Sequence, residues 1–113
     1  MYIEQLIDSI KKRPKMYVNE EKIEYIFHYI LGYSSACHKF SPDDIDKMFC
    51  NWFWKWLVKW IKDNIDSEYQ PKSVIWYDEI KVIARDEKKE MDVFFSLSKL
   101  FFEDYKNNKG YFG

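Results

Sequence analysis

Carboxylates are the first side chains to consider for chemistry, because hydrolysis by general acid and base catalysis needs two of them. Asp43, Asp44, Asp46 and Glu79 could supply such a pair. Asp43 and Asp44, however, belong to the stretch SPDD, a pattern that begins a helix and places acidic residues at the positive end of its dipole. The carboxylates therefore do not indicate an enzyme, and we expect no enzymatic activity.

The histidines and cysteines do not indicate a reactive or metal site either. His28 and His38 lie on different faces of one predicted helix, so they cannot share a metal ion as two histidines spaced by four residues do. Cys37 and Cys50 are too far apart for a CxxC motif, and we expect both to be reduced residues of the core. The chain has neither a P-loop nor a GxSxG motif. We expect no catalytic residue, no cofactor and no metal.

Length, composition and charge predict a single globular domain and exclude several classes of binding partner. The 113 residues are 47% hydrophobic and 33% charged, which predicts one globular domain over 1–113. The formal net charge is −1, so no overall field attracts nucleic acid or anionic lipid. The first residues do not resemble a signal peptide, and no apolar run approaches the roughly 20 residues that span a bilayer. We expect a cytoplasmic protein that binds neither membrane nor nucleic acid directly.

One basic run leaves an alternative open. Lys11, Lys12, Arg13 and Lys15 could bind phosphate, although basic residues are also what the negative end of a helix dipole attracts. The run lacks the glycine-rich turn that surrounds a phosphate. A solvated helix end is the simpler interpretation, and a nucleic-acid-associated regulatory protein that uses residues 11–15 is the alternative.

Apolar residues recur at helical spacing through the first part of the chain. Ile3, Leu6, Ile7 and Ile10 predict a first helix that ends before Arg13, because the residue preceding a proline avoids helical geometry. Asn19 is a plausible N-cap for a second helix over about 20–39. That helix is apolar over more than half its circumference, which predicts a position deep in the bundle. Its apolar residues are Ile23, Ile26, Phe27, Ile30 and Cys37, broadened by Tyr25, Tyr29, Tyr33, Ala36 and Phe40.

Three further helices are predicted. Ser41 is the expected N-cap of a third helix that ends near Asn64, and residues 63–73 form a polar loop. Residues 74–84 fit a strand by composition or a helix by spacing; we favour the helix, because a lone strand would leave its backbone groups unpaired. Asp86 should cap a last helix that ends near Asn107, followed by a frayed tail, KGYFG. The chain is thus predicted to be an all-α, single-domain bundle of about five helices.

Four of the nine residues from Trp52 to Trp60 are tryptophans. Trp52, Trp56 and Trp60 lie within the apolar stripe of the third helix, which predicts core positions. Trp54 and Val58 point away from the stripe. Trp54 could belong to a second core layer, anchor a protein partner or lie at a membrane surface, and the pair could form a contact in a self-associating structural domain. The third helix also contains the predicted stripe residues Ile45, Met48, Phe49, Phe53, Leu57 and Ile61.

Five segments together resemble a family of small bacterial proteins. They are RPKMYV at 13–18, LGYSSAC at 31–37, FCNWFWKWL at 49–57, the stretch 73–80 with Trp76, and MDVFFSLSKLFFEDY at 91–105. In this respect the chain resembles the immunity proteins of contact-dependent growth inhibition and other polymorphic toxin systems. The resemblance covers nearly the whole chain.

The resemblance implies a protein without enzymatic activity that binds one cognate toxin domain and blocks its active site. Many such toxins are nucleases that act on transfer RNA or DNA, so their clefts are basic and acidic inhibitors complement them. Residues 41–79 carry eight acidic and five basic side chains, a net charge of −3. The candidate toxin-binding residues are Asp43, Asp44, Trp54, Asp63, Asp66, Glu68 and Tyr69.

Overall fold

The computed structural model describes residues 1–108 and contains five α-helices. They are α1 (Tyr2–Lys12), α2 (Ile23–Phe40), α3 (Asp44–Asn64), α4 (Trp76–Ala84) and α5 (Glu90–Asn107), with short 3-10 turns at Pro14–Met16 and Glu87–Lys89. No strand occurs in the described residues, so the prediction of an all-α bundle of about five helices is confirmed. None of these helices is both long and apolar enough to cross a bilayer. The predicted tail at 109–113 lies outside the described residues.

The predicted start of α2 is wrong. Asn19 is not its N-cap, because the helix begins four residues later at Ile23. The Glu20 carbonyl accepts a hydrogen bond from the Lys22 backbone N–H at 2.9 Å, and the Glu20 carboxylate pairs with the Lys22 ammonium at 3.2 Å. These local contacts hold residues 19–22 in a turn rather than a helix.

The prediction that α2 lies deep in the bundle is also wrong. One face of the helix is buried, and Ile26 and Ile30 are fully inaccessible to solvent. The opposite face is open, with Tyr25, Tyr29 and Phe40 exposed. Tyrosine tolerates such a position because its hydroxyl stays hydrated, so a wide apolar face on the helical wheel did not require burial on both sides.

The start of α3 differs from the prediction by two residues. Ser41 is not the N-cap; Asp43 occupies that position with an extended backbone. Ser41 is buried instead, where its hydroxyl accepts from the Asp43 N–H at 3.1 Å and donates to Asp46 Oδ2 at 2.6 Å. The serine thus joins the chain before the helix to a carboxylate in the helix's first turn.

Asp46 lies at the junction of three helices. Its carboxylate is fully buried, and Oδ1 accepts from the backbone N–H of Ile3 in the first turn of α1 at 2.8 Å. The Ser34 hydroxyl of α2 donates to the Asp46 backbone carbonyl at 2.6 Å. Asp46 therefore caps α1 from a neighbouring helix and fixes α1, α2 and the start of α3 relative to one another.

The helical interpretation of residues 74–84 is confirmed, since α4 runs from Trp76 to Ala84. Trp76 is fully buried and stacks on Phe94 of α5, with ring centroids 4.8 Å apart. The helix ends at Arg85, whose left-handed backbone (φ 63°) stops further helical hydrogen bonding. Asp86 caps the 3-10 turn Glu87–Lys89 rather than α5 itself, accepting from the Lys88 N–H at 3.0 Å.

Aromatic rings fill the centre of the bundle, where Phe49 and Phe53 are fully buried and stack on each other at 5.1 Å. The tryptophans of α3 are only partly in this core. Trp56 is buried as predicted, whereas Trp52 and Trp60 are half-buried and Met48 is exposed. Trp52, Trp60 and Met48 lie at the edges of the apolar stripe, where the neighbouring helices cover only one side of a long side chain.

Candidate protein-binding surface

The seven predicted toxin-binding residues are divided between the two ends of α3 and its middle. Asp43 and Asp44 precede or begin the helix, Asp63 lies in its last turn, and Asp66 follows it. A helix of 21 residues is about 30 Å long, so no single compact patch contains both ends. The structure groups Asp63, Asp66 and Glu68 at the C-terminal end and places Asp43 and Asp44 at the other.

The three grouped carboxylates are exposed to solvent. Asp63 pairs with Lys59 one turn earlier at 2.5 Å, and both side chains remain more than half exposed. Asp66 Oδ1 accepts from the Glu68 N–H at 3.0 Å, which holds the start of the loop in a turn. These contacts order the segment without removing the carboxylates from water. At the N-terminal end of α3, Asp43 is 3.6 Å from the terminal amine of Met1.

Tyr69 is half-buried rather than exposed, which corrects its predicted place in an open loop. Its hydroxyl donates to Oε2 of Glu79, a fully buried carboxylate in α4, at 2.6 Å. Burial, followed by this hydrogen bond, raises the pKa of the Tyr69 phenol. Tyr69 therefore attaches the loop to α4 and does not present its hydroxyl to a partner.

Trp54 is half-buried against the core, near the same glutamate. Within residues 1–108, neither Nε1 of Trp54 nor Oε1 of Glu79 has a hydrogen-bond partner of good geometry, although both atoms are buried. Burial raises the pKa of Glu79, and the Tyr69 hydroxyl and the nearby Trp54 indole oppose that rise. The structure favours the second-core-layer interpretation of Trp54 over an exposed anchor.

A groove of about 280 Å³ lies between the C-terminal half of α3 and the end of α5. The indoles of Trp56 and Trp60 and the carboxylates of Asp63 and Asp104 line it, together with Lys59 and Asn108. Trp56 Nε1 donates to Asp104 Oδ2 at 2.9 Å, which fixes one indole and one carboxylate relative to each other. Aromatic faces beside carboxylates suit a cationic side chain.

A second concavity of about 480 Å³ lies on the other side of Trp60. Its walls are mainly apolar, with Ile83 of α4 and Val93 and Leu97 of α5, and its rim carries Lys89, Asp92 and Ser96. Trp60 therefore lines both concavities, one that has carboxylates among its walls and one that is mainly apolar. A half-buried indole in this position has the geometry of an interface anchor, because a partner can enclose it from both sides.

The side chains considered for catalysis are separated in the structure. Asp46 and Glu79 belong to different hydrogen-bond networks, one with Ser41 and one with Tyr69. Burial raises the pKa of the Cys50 thiol to about 11, so it is protonated at neutral pH and a poor nucleophile. In residues 1–108, no three His, Cys, Asp or Glu side chains converge where they could hold a metal ion.

Comparison of the chain with family models, curated proteins and solved structures finds no match. The resemblance to immunity proteins therefore stays a prediction from the sequence.

Two residues of this surface were missed from the sequence. The sequence predicts a core position for Trp60, because it continues the apolar stripe of α3, and no pattern in the sequence points to Asp104. A partial signal existed for Trp60: it lies one turn from the polar loop that follows α3. Nothing in the sequence pairs Asp104 with Trp56, which is 48 residues away.

Proposed function

We propose that this protein is a cytoplasmic immunity protein, which binds and blocks a cognate toxin domain through the C-terminal half of α3 and the loop after it. Trp60 carries the proposal, as a half-buried indole that lines two concavities and lies beside exposed carboxylates. A buried aromatic anchor with a polar, charged rim is the usual composition of a tight protein interface.

The chemistry of this surface fits a basic partner. Asp63, Asp66 and Glu68 would steer a positively charged cleft toward Trp60, as in a nuclease that binds transfer RNA or DNA. Lys59 lies among these carboxylates and pairs with Asp63, so the field is local rather than strong. The complex would then depend on the anchor more than on charge, and it would survive moderate salt.

Co-expression with a candidate toxin domain, sought first in the gene immediately upstream, tests the function. The chain should protect cells from that domain and co-purify with it in a stoichiometric complex. A toxin domain that kills in the presence of the chain and does not co-purify with it would contradict the proposal.

Matched variants test the surface. Trp60→Ala should weaken the complex about 30-fold or more, as expected for an interface hot spot. Charge reversal at Asp63 and Asp66 should lower the association rate. The same reversal at Asp43 and Asp44 is the control at the far end of α3 and should change little. The opposite pattern would assign the interface to the N-terminal end of α3.

The basic segment supports the rival proposal of a nucleic-acid-associated protein. Lys11, Lys12, Arg13 and Lys15 are all exposed, at the end of α1 and the start of the following turn. Binding through them would fall steeply with salt concentration, with a slope set by the number of phosphates contacted. Titration of the purified chain with duplex DNA and transfer RNA at two salt concentrations separates this rival from the immunity proposal.

A further inference from the structure

Asp104 is a half-buried carboxylate in the groove beside Trp56 and Trp60. Its two oxygens accept from neutral donors: Oδ2 from the Trp56 indole at 2.9 Å, and Oδ1 from the Asn108 side-chain amide at 3.1 Å. None of the ion pairs formed within residues 1–108 includes Asp104. The carboxylate is therefore held in one orientation, while its charge has no counterion in this part of the chain.

The Asp104 carboxylate keeps the capacity for two further hydrogen bonds. An ionised carboxylate accepts about four hydrogen bonds, two at each oxygen. Trp56 and Asn108 use one site on each oxygen. One site therefore remains on each oxygen, which matches the two parallel N–H groups of a guanidinium better than the single point charge of an ammonium.

The indoles of the groove favour the same ligand. Trp60 is half-buried and contributes its indole to the lining. A guanidinium stacks on an indole face and is hydrated more weakly than an ammonium, so it loses less on leaving water. The groove measures about 280 Å³, just under the roughly 300 Å³ at which pockets for drug-sized molecules begin. The site therefore suits one side chain rather than a separate small molecule.

The charges of the lining also favour a cation. Asp63 and Asp104 contribute two negative charges and Lys59 contributes one positive charge, so the lining has a net charge of −1. Lys59 pairs with Asp63, and both residues belong to α3. Asp104 belongs to α5, and its charge is the one that remains for a ligand.

We propose that this groove receives an arginine side chain of the toxin domain, with the guanidinium bound by Asp104 and stacked on the indole of Trp60. The identity of the partner rests on the proposed function. The preference of the groove for a guanidinium does not, because it follows from the chain's own residues. A cleft that binds nucleic acid uses arginine to contact phosphate, so the complex would occupy a phosphate-binding side chain of the toxin.

Titration of the free chain with N-acetyl-arginine amide tests the groove without the toxin. Two-dimensional NMR should show a saturable shift of the Trp56 indole N–H signal, because that N–H donates to the same carboxylate. N-acetyl-citrulline amide has a similar shape without the charge and should leave the signal in place. N-acetyl-lysine amide should bind roughly threefold more weakly or worse. Binding of either control compound as tightly as the arginine compound would overturn the proposal.

Two variants give opposite predictions for binding of N-acetyl-arginine amide. Asp104→Asn removes the charge and should weaken binding about tenfold or more, while the asparagine oxygen still accepts from Trp56 and keeps the melting temperature near that of the wild type. Lys59→Gln removes a cation from the lining and should strengthen binding roughly twofold or more. Glu103→Gln, at the exposed residue before Asp104, is the control for net charge and should change little. Equal losses in Asp104→Asn and Glu103→Gln would overturn the proposal.

A double-mutant cycle identifies the arginine in the toxin complex. Each exposed arginine of the toxin domain is replaced by alanine and measured with the wild-type chain and with Asp104→Asn. One replacement should weaken the wild-type complex about tenfold or more and the Asp104→Asn complex much less, because the two residues form one interaction. Additive losses for every arginine would overturn the proposal even where the complex forms. Failure to find any toxin complex, with the arginine probe still bound in the groove, would remove the proposed function and leave the guanidinium site.

Discussion

Asp46 and Glu79 are both fully buried carboxylates, yet their surroundings differ. Both oxygens of Asp46 accept hydrogen bonds, one from the Ile3 backbone and one from the Ser41 hydroxyl. Glu79 accepts one hydrogen bond, from Tyr69, and within the described residues its Oε1 has no partner of good geometry, although the Trp54 indole lies nearby. Equal burial therefore gives one fully hydrogen-bonded group and one that is incompletely paired.

The difference indicates opposite contributions to stability. A buried polar group with all its partners fixes the elements that supply them, and Asp46 receives its partners from α1 and from the segment before α3. A buried group with a missing partner keeps the cost of its desolvation. Asp46 should hold the bundle together, whereas Glu79 should weaken it at neutral pH.

The largest expected effect is that of Asp46→Ala. The substitution leaves the Ile3 N–H and the Ser41 O–H without an acceptor in the core and removes packed volume, so the free energy of unfolding should fall by about 3 kcal/mol. Urea denaturation followed by tryptophan fluorescence measures the change. Asp44→Ala, two residues away and exposed, is the control and should stay within about 0.5 kcal/mol of the wild type. A loss below about 1 kcal/mol for Asp46→Ala would contradict the role assigned to the carboxylate.

Ser41→Ala removes one of the two donors to Asp46. Since a buried carboxylate then loses a charge-assisted hydrogen bond, the free energy of unfolding should fall by about 1.5 kcal/mol. The Asp43 N–H also loses its acceptor in this variant. Ser35→Ala, at an exposed position of α2, is the matched control for the same chemical change. Equal stability of the two variants would mean that the Asp46 network does not depend on Ser41.

Tyr69→Phe removes the corresponding donor from Glu79. The loss should be about 1 kcal/mol, smaller than for Ser41→Ala, because Tyr69 is half-buried and water can replace part of its hydrogen bond, whereas Ser41 is buried. The Tyr69 hydroxyl lowers the pKa of Glu79, so its removal should raise that pKa further. Urea denaturation of Tyr69→Phe and Ser41→Ala side by side measures the contrast. A larger loss for Tyr69→Phe would reverse the comparison between the two carboxylates.

Features that depend on residues close together in the sequence could be predicted. Helical periodicity predicted five helices, because each has a local apolar face that repeats every three to four residues. Residues 74–84 fit both a strand and a helix, and the helix was correctly predicted because a lone strand would leave its backbone groups unpaired. These inferences use neighbours within a few residues of each other.

Asp46 and Trp60 depend on partners that are distant in the sequence. The carboxylate of Asp46 bonds to Ile3, 43 residues away, and no local pattern distinguishes it from the exposed Asp44. Trp60 continues the apolar stripe of α3, and only the positions of α4 and α5 make it line two concavities. Tyr69 likewise depends on Glu79, ten residues away, for its half-buried position, whereas a second core layer is already one of the sequence-based alternatives for Trp54.

The smallest expected effect is that of Glu79→Gln, and its sign is the strictest test of the comparison. The glutamine amide can accept from the Trp54 indole and donate to the Tyr69 oxygen, because a phenol oxygen both donates and accepts. At neutral pH the variant should be more stable than the wild type by up to about 1 kcal/mol, since no buried charge is left incompletely paired. By contrast, a protein in which a buried glutamate is fully paired loses stability when that glutamate is replaced by glutamine.

The pH dependence of stability shows whether Glu79→Gln is more stable because it removes a buried charge or because it packs better. Burial raises the pKa of Glu79 above its ordinary value of 4.5, so the native state binds this proton more tightly than the unfolded state. The wild-type free energy of unfolding should therefore fall as pH rises from about 4.5 through the raised pKa, because ionisation of Glu79 disfavours the native state. Glu79→Gln should remove that fall, whereas Glu68→Gln, at an exposed position in the loop, should keep it. If the fall persisted in Glu79→Gln, another buried group would be responsible for it, and the two carboxylates would not differ as their hydrogen bonds indicate.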